Sequence, residues 1–323
     1  MSSYCLGVDI GGTKVAAGLV DECGTIRHRT RRDTPDRSRS PQVVEDTIVD
    51  AVEELLEVAR EEDARVEAIG VGAAGFVGAD RATVVFAPHL SWRDEPLQQG
   101  LTQRVGLPIC VDNDANAAAW AEYCFGAARE ETHLVMITLG TGIGGAIVTN
   151  GALQRGRFGI AGEFGHMQIV PDGMRCECGN RGCWEQYASG NALVREARAL
   201  IEARSPVSHD LSARLGGDPS ALVGPLITEA ARDGDPTARE LLTEIGQWLG
   251  VGLANLAAAI DPGLFVIGGG VSAAGELLLA PARESFRRRL PGRGYRPEAQ
   301  IVVAELGPDA GLIGAADLAR TSL

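Results

Sequence analysis

The segment Tyr4–Val20 reads YCLGVDIGGTKVAAGLV and contains one complete strand-turn-strand unit. Tyr4–Ile10 is an apolar run typical of a buried strand, and Gly11–Lys14 forms a tight glycine turn. Val15–Val20 then returns as a second apolar strand. Because this hairpin starts almost at the first residue, we expect no helix-turn-helix ahead of it. The opening of the chain thus predicts a β-hairpin at the start of an α/β domain.

The same pattern occurs a second time along the chain. His133–Leu139 is an apolar strand that leads into the turn Gly140–Gly142 and the returning strand Gly144–Val148. Thr13 and Thr141 occupy equivalent turn positions, 128 residues apart. Strands and helices alternate between the two hairpins, which predicts two related α/β halves facing each other across a cleft. The alternative is that two unrelated glycine hairpins arose by chance.

Length and composition exclude several classes of protein. The chain has 323 residues, about twice a typical domain of ~150, and 45% of them are hydrophobic, which favours two globular domains over disorder. Its net charge of -13 argues against a dedicated nucleic-acid binder. The longest apolar stretch, Ile245–Ile260, is shorter than the ~20 residues of a membrane span, so we expect a core helix there. The first residues lack signal-peptide features, which predicts a cytoplasmic protein without membrane attachment.

Helices are predicted where apolar residues recur at helical spacing. One begins after Ser40 with Pro41 at its first position. Others cover Asn191–Ala203, Leu226–Arg232 and Thr237–Ile260. Between the first two of these, Ser205–Pro225 is rich in Ser, Gly and Pro, and we expect a surface loop there.

The first glycine turn carries groups suited to phosphate. Asp9 lies at a strand end, followed by two glycines, the hydroxyl of Thr13 and the cation of Lys14, the only lysine of the chain. Backbone N–H donors, a hydroxyl and a positive charge bind phosphate oxygens, and a carboxylate can hold hydrated Mg²⁺. The spacing matches neither a Walker loop nor a dinucleotide fingerprint. A simple hairpin turn without a ligand is the alternative.

Two further glycine loops follow predicted strands. Thr138–Gly145 could hold phosphates from the opposite side, and Gly268–Ser272 offers a surface without side chains on which an adenine could lie. Either loop alone is weak evidence. Three glycine loops at strand ends are better explained by one shared nucleotide than by three independent turns.

The run Asp112–Asn116, DNDAN, stands where a strand gives way to a helix. Asp and Asn are preferred N-cap residues, so capping alone could explain the run. The functional alternative is that one carboxylate accepts the proton of a substrate hydroxyl while Asn113 binds a neighbouring group, as in kinases that orient their nucleophile. The residues by themselves leave both interpretations open.

A Cys-rich knuckle predicts a structural zinc site. His166, Cys176, Cys178 and Cys183 supply one nitrogen and three sulfurs, which would fill a tetrahedral site with no position left for water. A disulfide or free reactive thiols are the alternatives. A metal-bound knuckle would also hold nearby carboxylates in place, and fixed carboxylates and imidazoles are suited to sugar hydroxyls.

Together these motifs resemble the ROK (repressor, ORF, kinase) family of sugar kinases, and the pattern is most similar to the bacterial glucokinases of that family, particularly the actinobacterial ones. They occur in the family's order over nearly the whole chain, and the knuckle after EFGH is the most specific of them. The motifs are DIGGTK at Asp9–Lys14, DNDANAAA at Asp112–Ala119, LGTGIGG at Leu139–Gly145, EFGH at Glu163–His166, CECGNRGCWE at Cys176–Glu185 and GGGVS at Gly268–Ser272.

The resemblance implies an actin-like (ribonuclease H-like) fold of two domains, with the final helix returning to the first. We expect a small domain of residues 1–114 and 305–323, and a large domain of 115–304 that carries the zinc knuckle within 151–185. The implied reaction is transfer of phosphate from MgATP to the 6-hydroxyl of D-glucose. The implied cofactors and partners are ATP, Mg²⁺, one structural Zn²⁺ and a second copy of the chain in a dimer or tetramer.

The resemblance also implies a role for each matching residue. It makes Asp114 the catalytic base, and it assigns the zinc to His166, Cys176, Cys178 and Cys183. The implied sugar ligands are Asn113, Asp114, Glu163, His166, Glu185 and Gly75. The implied metal and nucleotide residues are Asp9, Gly11, Gly12, Thr13, Lys14, Thr141, Gly142, Gly269 and Gly270.

Two other functions remain open. A kinase for another hexose, such as N-acetylglucosamine, N-acetylmannosamine, mannose or fructose, would use the same catalytic residues. A sugar-sensing transcriptional regulator shares the family's knuckle, but the early first strand and the negative net charge argue against it.

Overall fold

The polypeptide forms a mixed α/β structure, described here for residues 3–215 and 218–322 of a computed structural model. It contains two five-stranded sheets and one small three-stranded sheet. Two mixed sheets joined to helices confirm the fold class predicted from the alternating pattern. In chain order the elements are β1 (Ser3–Ile10), β2 (Lys14–Val20), β3 (Ile26–Asp33), α1 (Pro41–Glu61), β4 (Arg65–Ala73), β5 (Phe76–Val77), β6 (Val84–Phe86), β7 (Arg93–Glu95), α2 (Leu97–Val105), β8 (Ile109–Asn113), α3 (Asp114–Phe125), β9 (Leu134–Leu139), β10 (Ile143–Thr149), β11 (Ala152–Leu153), α4 (Glu185–Ala188), α5 (Gly190–Glu202), α6 (His209–Ala213), α7 (Gly224–Arg232), α8 (Pro236–Ile260), β12 (Leu264–Gly268), α9 (Glu276–Arg289), β13 (Gln300–Val303) and α10 (Ala310–Arg320).

The first sheet has the strand order β3-β2-β1-β4-β8. β1, β2 and β3 are antiparallel neighbours, whereas β1, β4 and β8 run parallel. The parallel register sets Asp9 opposite Gly72, and Gly72 opposite Asp112. The carboxyl ends of these strands therefore share one edge, where Asp9 and the start of α3 lie together.

The final helix, α10, packs against the first sheet at very short range. A Cβ atom on Gly7 would lie 2.0 Å from the carbonyl oxygen of Leu312, and one on Gly70 would lie 1.7 Å from that of Ala315. Because only glycine admits a helix backbone this close to a strand, these two positions tolerate no side chain. The last helix, which the resemblance expects to return to the first domain, thus packs on the first sheet.

The second sheet has the order β11-β10-β9-β12-β13, with β9, β12 and β13 parallel. The register pairs Gly268 with Thr138, so the glycine loops that follow β9 and β12 begin at the same edge. The apolar stretch Ile245–Ile260 lies in α8, which packs on α9 and buries most of its apolar side chains. In the described part of the chain, no helix is long and apolar enough to cross a membrane.

The chain separates into two compact units whose limits differ from the expected domains. The first unit runs to Thr132 and also includes Ala146–Gly162 and the chain from Glu305 onward; the second contains His133–Gly145 and Glu163–Ala304. Helix α3 stays with the first unit because it packs along α10. The segment 151–185 is likewise divided between the units instead of forming one insertion in the second.

Some elements were absent from the sequence-based expectation. The small sheet β5-β6-β7 and helix α2 occupy a region for which no elements were predicted. The stretch Ser205–Pro225, expected to be a loop, contains α6 and short 3₁₀ turns at Pro206–Ser208 and Pro219–Ala221. Strands of two or three residues and single helical turns are too short to produce a periodic hydrophobic signal, so tertiary contacts decide them.

Candidate active site

The four residues predicted to bind zinc converge on one point in the second unit. One donor atom from each of His166, Cys176, Cys178 and Cys183 lies within 4.8 Å of all the others. The Sγ atoms of Cys178 and Cys183 are 3.6 Å apart, and Nδ1 of His166 is 3.7 Å from Sγ of Cys176. One imidazole and three thiols form a closed donor set of the kind that structural zinc prefers.

Short backbone contacts shape the knuckle around this cluster. Isolated bridges pair Gln168 with Cys183 and Arg175 with Arg181. The amide of Gly179 donates to the carbonyl of Cys176 at 3.0 Å and closes the turn between the first two cysteines. Next to the cluster, Trp184 is fully buried, and its Nε1 donates to the carbonyl of Trp248 at 2.9 Å. The knuckle is thereby attached to α8, the long core helix.

The cluster also holds two of the predicted sugar ligands in place. Glu185 begins α4, and its Oε1 accepts a hydrogen bond from the thiol of Cys176 at 3.0 Å. The same oxygen lies 3.6 Å from Nδ1 of His166. Since Nδ1 faces the cluster, Nε2 of the His166 ring remains for another partner. Glu163 stands at the start of the 3₁₀ turn that contains His166, and its carbonyl accepts the amide of His166 at 3.1 Å.

The glycine loop that follows β9 in the second unit contacts the N-terminus of α5. The amide of Gly190 donates to the carbonyl of Gly140 at 2.8 Å, and that of Asn191 donates to the carbonyl of Thr141 at 3.3 Å. The loop Gly140–Gly142 is therefore held by the first residues of a helix, where backbone dipoles favour anions.

After β12, Gly269 adopts a φ of 81°. A Cβ atom there would lie 2.5 Å from the carbonyl oxygen of Leu139, so only glycine fits. Gly270 has no atom within 4 Å of its Cβ position, which leaves open space above the backbone. The structure thus brings together the predicted phosphate and adenosine residues of this unit.

In the first unit, Asn113 and Asp114 form the junction between β8 and α3. The side-chain oxygen of Asn113 caps the helix, accepting the amides of Ala115 at 2.9 Å and Asn116 at 3.1 Å. Its Nδ2 donates to the carbonyl of Gly75 at 3.1 Å, which places Gly75 beside the predicted base. The N-cap interpretation therefore holds for Asn113, and capping sets the position of Asp114 at the first turn of the helix.

The two carboxyl groups that lie together at this edge of the first sheet, Asp9 and Asp114, have raised pKa values. Burial raises the pKa of Asp114 to about 6, against opposing hydrogen bonds from the backbone and from Asn113. Burial, and then repulsion from the charge of Asp114, raises the pKa of Asp9 to about 7. A carboxylate with a pKa near neutrality is matched to proton transfer, because it can both accept and release a proton at physiological pH.

Asp112 has a different environment from Asp114, although it is only two residues away. It is buried, and its Oδ2 accepts hydrogen bonds from Nε and Nη2 of Arg155 at 2.9 and 2.6 Å. Nε of Arg81 lies 3.4 Å from the same oxygen. Its Oδ1 accepts from Asn116 Nδ2 at 2.9 Å. With both oxygens engaged by cations and amides, Asp112 has a structural role in this unit.

The turn Gly11–Lys14 is closed by its own backbone and lies next to β3, where Asp33 stands opposite Lys14 in the strand register. The amide of Gly11 donates to the carbonyl of Lys14 at 2.9 Å, and Thr34 donates through its hydroxyl to the carbonyl of Gly11 at 2.7 Å. Within residues 3–215 and 218–322, Lys14 takes part in no ion pair. The turn therefore offers an exposed cation beside Gly12 and Thr13.

One residue next to this turn was not anticipated. A Cβ atom on Gly12 would lie 3.1 Å from Cβ of His89, so the His89 side chain packs against the turn Gly11–Lys14. His89 follows β6, one of the short strands without a periodic pattern. Arg81 and Arg155 also belong to this first-unit site, although neither stands in a motif. No local signal marks these residues, since they reach the site from loops distant in sequence.

The chain is similar to known proteins over nearly its whole length. The sequence profile described as the ROK family matches residues 5–322. The glucokinase of Streptomyces coelicolor is 49% identical over 315 residues, which cover 98% of this chain and 97% of that protein. The glucokinase of Thermotoga maritima is 36% identical over 98% of this chain and 96% of its own length. A crystal structure of a ROK family glucokinase from Streptomyces griseus, in complex with glucose and AMPPNP, matches with a TM-score of 0.88 at 51% identity, covering 98% of this chain and 99% of that one.

Proposed function

This chain belongs to the ROK family, and from that premise we propose that it is a glucokinase, which transfers the γ-phosphoryl group of ATP to the 6-hydroxyl of D-glucose. The observation that carries the proposal is the environment of Asp114, a partly buried carboxyl group with a pKa of about 6 at a helix N-terminus beside Asn113. The similarity to proteins named glucokinase, one of them solved with glucose and an ATP analogue, gives the substrates.

In the proposed reaction, Asp114 accepts the proton of the attacking hydroxyl as the phosphoryl group is transferred. Asn113 is fixed by its capping bonds and by the carbonyl of Gly75, so it can orient a neighbouring hydroxyl. Glu163, His166 and Glu185 supply the sugar contacts of the second unit. Phosphoryl transfer depends mainly on positioning and electrostatic stabilisation, which such fixed groups provide.

The triphosphate is assigned to the glycine loops. In the first unit the backbone amide of Gly12, the hydroxyl of Thr13 and the cation of Lys14 would contact phosphate oxygens, while Gly11 closes the turn through its own amide. In the second, Thr141 and Gly142 would contact the phosphates, and Gly269 and Gly270 the adenosine.

The groups around Asp9 fit a hydrated Mg²⁺ ion. Two buried carboxyl groups repel each other here, and a divalent cation would favour the ionised form of both. When bound, Mg²⁺ neutralises charge on the phosphates. Asp9 is the residue that would hold it.

The knuckle fits one structural zinc ion. Its three thiols and one imidazole leave no open coordination position, so the bound metal would provide rigidity and no chemistry. His166 would then be fixed through Nδ1 and would present Nε2 to the sugar.

A coupled assay of ADP release over a small panel of sugars tests the proposed function. We expect D-glucose to give the highest kcat/KM among glucose, mannose, fructose, N-acetylglucosamine and N-acetylmannosamine. A higher kcat/KM with an acetylated sugar would identify that sugar, instead of glucose, as the substrate. Absence of turnover with every sugar would overturn the kinase assignment. Light scattering of the purified protein tests the further expectation of a dimer or tetramer.

Removal of the Lys14 cation should weaken use of MgATP. We expect Lys14→Ala to raise the KM for ATP by on the order of tenfold, because a charged hydrogen-bond donor is typically worth ~1.5–3 kcal/mol, while the KM for glucose changes little. Because Lys14 is the only lysine, amine-directed labelling of the wild type, with the Lys14→Ala protein as the control for the terminal amine, reports on one side chain. ATP should slow this labelling; labelling at an unchanged rate would contradict the phosphate assignment.

On acidification, activity should begin to fall at a higher pH than it would if the catalytic base had the pKa of an ordinary aspartate. Asp114 must be ionised to accept a proton, and burial raises its pKa to about 6 from the ordinary aspartate value of 3.8. As the pH drops through this value, a growing fraction of the enzyme carries a protonated, inactive Asp114. The kcat/KM for glucose should therefore fall below about pH 7. Since Asp9 and Asp114 interact, the apparent pKa belongs to the pair. A pH profile that stays flat down to about pH 5 would contradict this environment.

A further inference from the structure

Gly142 and Glu185 lie unusually close together in the second unit. A Cβ atom built on Gly142 would be 2.6 Å from Oε2 of Glu185, a distance that real Cβ atoms essentially never show. The other carboxylate oxygen, Oε1, accepts the hydrogen bond from Cys176. The carboxylate is therefore held with one oxygen against the knuckle and the other above the backbone of Gly142.

The backbone of Gly142 does not itself require glycine. Its φ lies outside the left-handed region that disfavours side chains, and among the described residues beyond its chain neighbours, the Glu185 carboxyl group alone comes within 4 Å of its Cβ position. Gly140, in the same loop, has no atom within 4 Å of its Cβ position. Of these two glycines, two residues apart, Gly142 is the one whose Cβ position meets a carboxylate.

We propose that Gly142 is a positioning residue for the sugar, because its missing side chain leaves the space in which the Glu185 carboxylate stands. This inference rests on the proposed function, in which Glu185 binds glucose. It adds a second role to a residue assigned to the phosphates: the glycine that borders the phosphate loop also sets where a sugar-binding carboxylate lies.

A methyl group at position 142 should move Glu185 without unfolding the protein. The atom that must give way is the end of a flexible side chain, and ordinary van der Waals contact begins at 3.4 Å, so a shift of about 0.8 Å from 2.6 Å relieves the overlap. The side chain of Glu185 is 17% exposed, so it is not locked in the core. Displacement of a positioned group by about 1 Å can cost as much as 10²-fold in activity.

The test compares Gly142→Ala with Gly140→Ala. We expect Gly142→Ala to raise the KM and the dissociation constant for glucose by on the order of tenfold, with a smaller change in the KM for ATP. Gly140→Ala adds the same methyl group to the same loop without touching Glu185, so any effect common to both variants is a loop effect. A rise in glucose KM confined to Gly142→Ala supports the proposal, and an equal rise in both variants, or a larger effect on ATP than on glucose, overturns it.

A double-mutant cycle with Glu185→Ala identifies the route of the effect. If Gly142 acts through Glu185, the glucose penalty of Gly142→Ala disappears in the Glu185→Ala background, whereas an undiminished penalty overturns the inference. The assay of wild-type protein over the sugar panel distinguishes failure of this inference from failure of the proposed function. A wild-type protein that phosphorylates glucose while Gly142→Ala binds glucose normally overturns the inference alone, and a wild type inactive on glucose overturns the proposed function and the inference with it.

Discussion

Asp114→Asn should lower kcat by about 10²- to 10⁴-fold while glucose still binds, because the substitution keeps the size and hydrogen-bonding reach of the side chain but removes the proton acceptor. The measurement is a steady-state comparison of kcat, combined with glucose titration calorimetry on the variant. Burial of Asp114 disfavours its charge, so a neutral amide at this position should leave the thermal stability unchanged or raise it. Lost activity with retained stability is the expected combination.

Asp112→Asn provides the matched comparison. This substitution removes the partner of Arg155 and Arg81 at a buried position, so it should lower the melting temperature, which Asp114→Asn should not. The two neighbouring carboxyl groups are thereby distinguished by stability and by chemistry. If Asp114→Asn retained wild-type kcat, the proton would be accepted elsewhere and the mechanism proposed here would be wrong.

Cys178→Ser should abolish zinc binding and glucose binding together. The serine hydroxyl is a poor zinc ligand compared with a thiolate, and loss of one of four ligands opens the site. Because the same cluster positions His166 and Glu185, we expect glucose affinity to fall by at least tenfold. Structural zinc contributes on the order of 10 kcal/mol in small zinc peptides, but the large core of this protein should confine the damage to the segment 165–185. ATP binding at the glycine loops should survive better than glucose binding.

Cys23→Ser is the control for this experiment. Cys23 is an exposed free thiol outside the cluster, so its replacement should change neither metal content nor sugar affinity. Elemental analysis of the wild type should find about one zinc per chain. Hydrogen exchange would locate the disorder expected in Cys178→Ser. Full activity in a metal-free protein would show that the knuckle needs no metal to hold the sugar ligands.

The amino-acid sequence determined the features that depend on neighbours along the chain. Apolar runs bounded by glycine turns identified the strand that carries Asp9 and the strand that leads into the turn with Thr141, and helical spacing identified α8 as a core helix. The knuckle could also be predicted, because its histidine and cysteines are close in sequence and form a donor set typical of structural zinc sites. Family resemblance added the roles of Asp114 and of the sugar ligands, which spacing alone left open.

Tertiary structure decided what depends on contacts between distant segments. The motif DNDAN does not by itself distinguish Asp112 from Asp114. They differ because Arg155 and Arg81, from loops distant in sequence, reach Asp112, whereas Asp114 is partly buried and forms no ion pair within the described part of the chain. Helix α3 lies in the first unit because α10 packs on it from nearly 200 residues away. The need for glycine at position 142 comes likewise from Glu185, and no local pattern records it. A residue's charge state and its free space are set by whatever atoms surround it in the fold, and those neighbours become defined only once the chain has packed.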